Sequence, residues 1–190
     1  MLIPIGILAA SGAGGGAGAF DLLETTVLTS SASSVTFSGL GAYSDYKHLQ
    51  IRMLIKSTST SYDRLKVNLN NDTSGSYVSH YLRGNGAGVT SGNSGASQIA
   101  MYEIAHFTGT LSSDTVQFTP VIFDLLDFAS SNKNSTVRAL SGYKPSTGTS
   151  YVNLTSGAYI NTAAVTTIGL SCQGLNFQTG SRFSLYGIKG

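Results

Sequence analysis

Nine carboxylates, three histidines and one cysteine are the side chains whose types could carry chemistry in this chain. Hydrolysis of a glycoside usually needs two carboxylates facing each other, and there are two Glu and seven Asp to supply them. Asp124 and Asp127 stand three apart. In a strand that spacing sends them to opposite faces, so a catalytic dyad is not expected, while burial of one of them against a cation is. A Ser-His-Asp site needs positioned partners, and no G-x-S-x-G elbow is present.

His48, His80 and His106 are scattered and lack metal-ligand spacing, so each reads as an ordinary surface or core residue of a strand. The segment Asn70-Asn-Asp-Thr-Ser-Gly75 offers oxygens to a hard cation but lacks the bidentate Glu and spacing of an EF-hand loop. Turn chemistry accounts for it, because Asn and Asp bond to their own backbone in turns. Cys172 is the one cysteine, which excludes an internal disulfide and a cysteine metal cluster, and nothing near it in sequence would activate the thiol. No metal or cofactor is expected. Sequons at Asn71, Asn134 and Asn153 are what an Asn/Thr-rich chain produces by chance. Ten Tyr and no Trp leave a tyrosine signal near turns and strand ends. It fits subunit or carbohydrate contacts, and equally ordinary packing at sheet edges.

The glycines of Ser11–Ala19, after an apolar start, superficially resemble a dinucleotide-binding loop. That loop must open a helix, whereas Thr25-Thr-Val27 is β-branched and no Lys or Arg occurs before Lys47. The same lack of basic residues argues against a signal peptide, and a ten-residue apolar run holding Pro4 is too short to span a bilayer. What remains is an arm, residues 1–21, in which Leu2, Ile3, Ile5, Ile7 and Leu8 dock on a partner through a glycine-rich tether. Nine tether residues give about 15–18 Å of typical reach. The alternative is that the arm folds back on its own domain.

From residue 22 to 190 the period is two. Leu49, Ile51, Met53 and Ile55 alternate with His48, Gln50, Arg52 and Lys56, and Leu65, Val67 and Leu69 with Arg64, Lys66 and Asn68. Turn signals fall at Gly39–Gly41, Asn70–Gly75, Gly84–Gly86, Ser91–Gly95, Lys144–Gly148 and Gly174. About eleven strands are predicted, over 22–29, 33–38, 46–56, 64–70, 77–83, 98–106, 114–126, 135–143, 151–157, 163–172 and 181–188. The expected fold is all-β, an antiparallel β-sandwich of jelly-roll type preceded by the extended arm. Only 11% of residues are charged and the net charge is +2 with no basic run, so nucleic-acid binding is not expected.

Four stretches together resemble a group of structural proteins from tailed phages, especially cyanophages. They are the opening with its Leu-Ala-Ala-Ser-Gly, glycines and Glu24-Thr-Thr-Val-Leu28; Tyr46-Lys-His-Leu-Gln-Ile-Arg52; Asp124–Asn134; and the ending Gly180-Ser-Arg-Phe-Ser-Leu-Tyr-Gly-Ile-Lys-Gly190. The ending is the most specific part, but it recurs in tail-associated proteins and so does not fix a place in the particle. The resemblance implies a non-enzymatic virion component, assembled in the host cytoplasm and carrying no catalytic residues. The expectation is a capsid decoration or cement protein that forms homo-oligomers, with trimers favoured, and binds the major capsid protein or other virion proteins. The alternative is a tail fibre or tail adaptor, attached through its arm and meeting a glycan.

Overall fold

The computed structural model describes residues 19–110, 116–144 and 150–190. The arm residues Leu2, Ile3, Ile5, Ile7 and Leu8 and the glycine loop lie outside the described residues.

The described chain is an antiparallel β-sandwich, as the period of two predicts. Its strands are β1 (Phe20–Val27), β2 (Ser34–Ser38), β3 (His48–Ile55), β4 (Asp63–Leu69), β5 (Tyr77–Gly84), β6 (Val89–Gln98), β7 (Met101–Phe107), β8 (Thr119–Leu126), β9 (Ser135–Tyr143), β10 (Tyr151–Tyr159), β11 (Thr167–Cys172) and β12 (Arg182–Ile188). One sheet has eight strands in the order β1-β12-β3-β8-β9-β10-β5-β6, and the other has four, β2-β11-β4-β7. This order does not by itself establish a jelly roll, which sets eight strands in two Greek keys. A single 3₁₀ turn, Leu40–Tyr43, occupies the Gly39–Gly41 turn signal.

Strand β6 corrects the sequence reading. Ser91–Gly95, expected as a turn, lies inside it, and the turn proper is at Asn85–Gly88, where the Asn85 amide N donates to the Gly88 carbonyl. Ser and Gly carry no apolar alternation, so β6 is held at the sheet edge by main-chain pairing to β5, with Leu82 opposite Ser91 and His80 opposite Asn93. Several expected strands are also shorter, most of all β11, which starts at Thr167, and β8, which starts at Thr119, where Pro120 faces outward.

The core lies between the sheets. Val35, Phe37, Leu65, Val67, Leu69, Ile168 and Leu170 of the smaller sheet meet Leu49, Ile51, Met53, Val121, Phe123, Leu125, Phe183 and Leu185 of the larger. Full burial of each such side chain stabilises by about 1.5–3 kcal/mol relative to exposure. Phe177, from the loop before β12, closes one end, stacked on Phe107 and edge-on to Phe183. Tyr77 and Tyr159 stack with ring centroids 5.0 Å apart. The Tyr77 hydroxyl both donates to the Leu69 carbonyl and accepts from its amide.

Candidate functional site

Two places in the fold hold residues that an ordinary sandwich does not need. The first is a polar cluster where β7 packs on β5 and β10. Between Leu65↔Ala105 and Val67↔Met101, β7 advances four residues while β4 advances two, a bulge with Glu103 inside it at φ +59°. Bulges re-aim side chains, and this one turns Glu103 toward two arginines. Its Oε1 lies 3.1 Å from Arg64 Nη1 and its Oε2 3.4 Å from Arg83 Nη1. Its carbonyl accepts from the Thr155 hydroxyl at 3.1 Å.

His106 is fully buried beneath this pair, stacked on Tyr62 and edge-on to Tyr151. Its Nε2 lies 2.7 Å from Arg83 Nη1 and 3.0 Å from Glu103 Oε2. The arginine can only donate, so bonding to it makes Nε2 an acceptor; bonding to the carboxylate requires a proton there. One nitrogen cannot do both, and Nδ1 has no hydrogen-bond partner. Burial, followed by the positive Arg83, holds the His106 pKa below its ordinary value even though Glu103 pulls the other way. The hydrogen bond with His106, and then the two arginines, hold the Glu103 carboxyl below the usual carboxylate range against burial. The cluster ties the edge of the smaller sheet to the larger one.

Four more carboxylates are engaged as well. Asp124 is buried, as expected for one of its pair, and its Oδ2 lies 2.8 Å from Arg138 Nε while its Oδ1 accepts from Gln50. Asp127, just past β8, lies 2.6 Å from Lys133. Asp63 accepts four hydrogen bonds, from the Arg64, Gly174 and Leu175 amides and the Ser57 hydroxyl. In the Asn70–Gly75 segment Asn70 and Asn71 have φ near +55°, and Asp72 accepts from Ser74 and from the Tyr159 hydroxyl. Those bonds, Ser74 first, hold the Asp72 pKa down at about 2. The segment is a turn built as its residue types predict. Cys172 is buried, and burial pushes its thiol pKa up, which makes it a poor nucleophile. Asn153 is fully buried, so its sequon is not a modification site in the folded chain. Among the described residues no group of three or more His, Cys, Asp or Glu is placed to hold a metal, and no helix is long and apolar enough to cross a membrane.

The second place is the outer face of the eight-stranded sheet, opposite the core. The pairing registers set Ser184, Arg52, Ile122, Leu140, Leu154, Leu82 and Ser91 in one row across the strands. Beside it lie the paired runs Arg182, Leu54 and Pro120, and Gly142, Val152, Gly84 and Val89, with Pro120 and Gly142 lining one hollow. Six aliphatic side chains of these rows, Leu54, Leu82, Ile122, Leu140, Val152 and Leu154, are each 42–61% exposed, and Pro120 and Val89 are exposed beside them. They form a band about 19 Å long from β3 to β5, at about 4.8 Å per strand. Gly142, lacking a side chain, leaves a hollow of about 310 Å³ among Pro120, Ile122, Leu140 and Val152. A second hollow of about 420 Å³ adjoins it toward Leu54, Arg52, Arg182 and Tyr186. Toward the other strand ends the same face turns polar, through Gln50, Asp124 and Arg138 and then Ser156 and His80.

Sequence reading found the inward stripes but missed the band. Leu54 and Ile122 follow Met53 and Val121 directly, two apolar neighbours that a half-buried strand would alternate, whereas Leu140 and Leu154 stand beside Ser141 and Asn153 and give no local signal. It also missed the cluster, whose four charged or ionisable members come from three strands distant in sequence. No family model, curated protein or solved structure matches the chain.

Proposed function

We propose that this chain is a non-enzymatic structural subunit of a tailed-phage particle that decorates or cements the capsid shell and acts by occupying an assembly interface. The observation that carries the reading is the contiguous apolar band on the outer sheet face. Isolated exposed hydrophobic residues are normal, but a continuous patch marks an interaction surface. The phage assignment itself rests on the resemblance of the four sequence stretches. Engagement of Glu103, Asp124 and Asp63 with cations and backbone amides supports a structural role over hydrolysis.

The mechanism is mass action. A protein that binds only the assembled shell stabilises it by RT ln(1 + [L]/Kd), about 2.7 kcal/mol per site at a hundredfold excess over Kd. Local threefold positions of a shell would seat it as a trimer. Quantitative mass spectrometry of purified particles tests the reading. A copy number comparable to the major capsid protein is expected, and one many-fold lower would move the chain to the tail as a fibre or adaptor.

A further inference from the structure

The outer face of the smaller sheet holds a polar hollow of about 340 Å³. That volume lies within the range of clefts that take small ligands. The registers of β2, β11 and β4 lay its floor in two rows, Ser34, Ser171 and Lys66, then Thr36, Gly169 and Asn68. The turn after β4 and the segment around Ile99 and Tyr102 complete the lining. The Asn68 amide ties both to the floor, donating to the Asp72 carbonyl at 2.6 Å and to the Ile99 carbonyl at 3.1 Å. The hollow is therefore preformed, and a ligand need not pay to order it.

Gly169 calls for an explanation. A glycine inside a strand weakens it, and usually marks a bulge, a sharp bend, or the close approach of another backbone or a ligand. Here β11 keeps unbroken register with both neighbours. A Cβ on Gly169 would meet nothing nearer than the Asn68 carbonyl oxygen at 3.7 Å, so no neighbouring backbone requires the glycine. What the missing side chain provides is the hollow itself.

The lining also suggests what fills it. Ser34, Thr36, Lys66, Asn71, Thr73 and Ser171 have no side-chain partner among the described residues, unlike Arg64, Arg83 and Glu103. Lys66 is the one charged residue of the lining. Hydroxyls and amides beside a single cation match a ligand with many hydroxyls and one negative charge, and Tyr102 adds an amphipathic ring. A peptide could not join as an added strand, because β11 and β4 are already paired on both sides. A nucleic acid would need several cations along its phosphates.

We propose that this hollow binds an acidic glycan, with Lys66 facing a uronate carboxylate and the hydroxyl and amide side chains taking the sugar hydroxyls. The hollow and the apolar band lie on opposite outer faces of the sandwich. The proposal is thus independent of the assembly reading, and a subunit seated by its band would still present the hollow to solvent.

The test is binding of the full-length chain to an array that pairs uronic-acid oligosaccharides with their methyl esters, then titration of the strongest binder. The acids should bind and the esters bind less. Lys66→Gln should weaken the acid about tenfold, which is about 1.4 kcal/mol, and bring it level with its ester. Gly169→Val should abolish binding of both, with circular dichroism and melting temperature showing that it folds. No binding of any acid, acid and ester bound alike, or a folded Gly169→Val that binds as the wild type does would each overturn the proposal. So would competition by inorganic phosphate or an oligoglutamate peptide as effective as that by the glycan. If Gly169→Val does not fold, Lys66→Gln decides alone: unchanged affinity for the acid overturns the proposal.

Discussion

Asp63 shows how much a single carboxylate can hold in this fold. Its four hydrogen bonds join the start of β4 to the Gly174–Leu175 turn and to Ser57, reinforcing the backbone bonds Gln173 to Arg64 and Thr58 to Asn176. Asp63→Ala would remove all four bonds and leave the Ser57 hydroxyl buried without its acceptor, while water can reach the exposed turn, so we expect a loss of about 1–3 kcal/mol in chemical denaturation. Glu103 and His106 give the residue scale its pH dependence. The His106 pKa is lowered in the folded state, so the unfolded chain takes up the proton first as pH falls. Stability from this group is complete above the unfolded value of about 6.5 and declines below it. Glu103, also lowered, contributes above its unfolded value and loses that contribution at lower pH. His106 is the group whose window lies in this interval, so the melting temperature should fall from pH 7 to pH 5 and His106→Gln should flatten that slope, while Glu103 adds its loss only at lower pH. A melting temperature unchanged over the interval in the wild type would contradict this account of the cluster.

At the scale of elements, β10 depends on a residue without a side chain. A Cβ on Gly157 would lie 2.8 Å from the Val78 carbonyl oxygen of β5 and 3.2 Å from the Met101 sulfur of β7. Backbone cannot give way there without breaking the β10–β5 ladder, so Gly157→Val should cost about 2 kcal/mol or more in an equilibrium unfolding curve. The edge strand β6, held mainly by its ladder to β5, should exchange its amide hydrogens before β9 and β10 do. These elements also show what could be read in the sequence. Leu49-x-Ile51-x-Met53-x-Ile55 and Leu65-x-Val67-x-Leu69 announce inward faces because burial on one side imposes the period. Ser91–Gly95 announces nothing, because main-chain pairing at an edge demands no particular side chain. The bulge that turns Glu103 toward Arg64 and Arg83 depends on register between strands far apart in the chain, which no local pattern encodes. The same limit hid the band, whose members become neighbours only once five strands are paired.

For the whole molecule, the two faces of the larger sheet divide the work. The inner face joins the smaller sheet in a core that specifies the fold. The outer face carries aliphatic side chains that the isolated subunit leaves exposed, and in the proposed reading association buries them. Substitutions there should therefore alter assembly far more than stability. The most direct measurement is sedimentation equilibrium of the full-length chain beside L140D/L154D, with circular dichroism and melting temperature recorded for both. The account predicts an associating wild type and a variant shifted to monomer, with an unchanged spectrum and a melting temperature within about 2 °C. A variant that associates as the wild type does, or a wild type that stays monomeric at every concentration, would contradict the claim that this face is built for assembly.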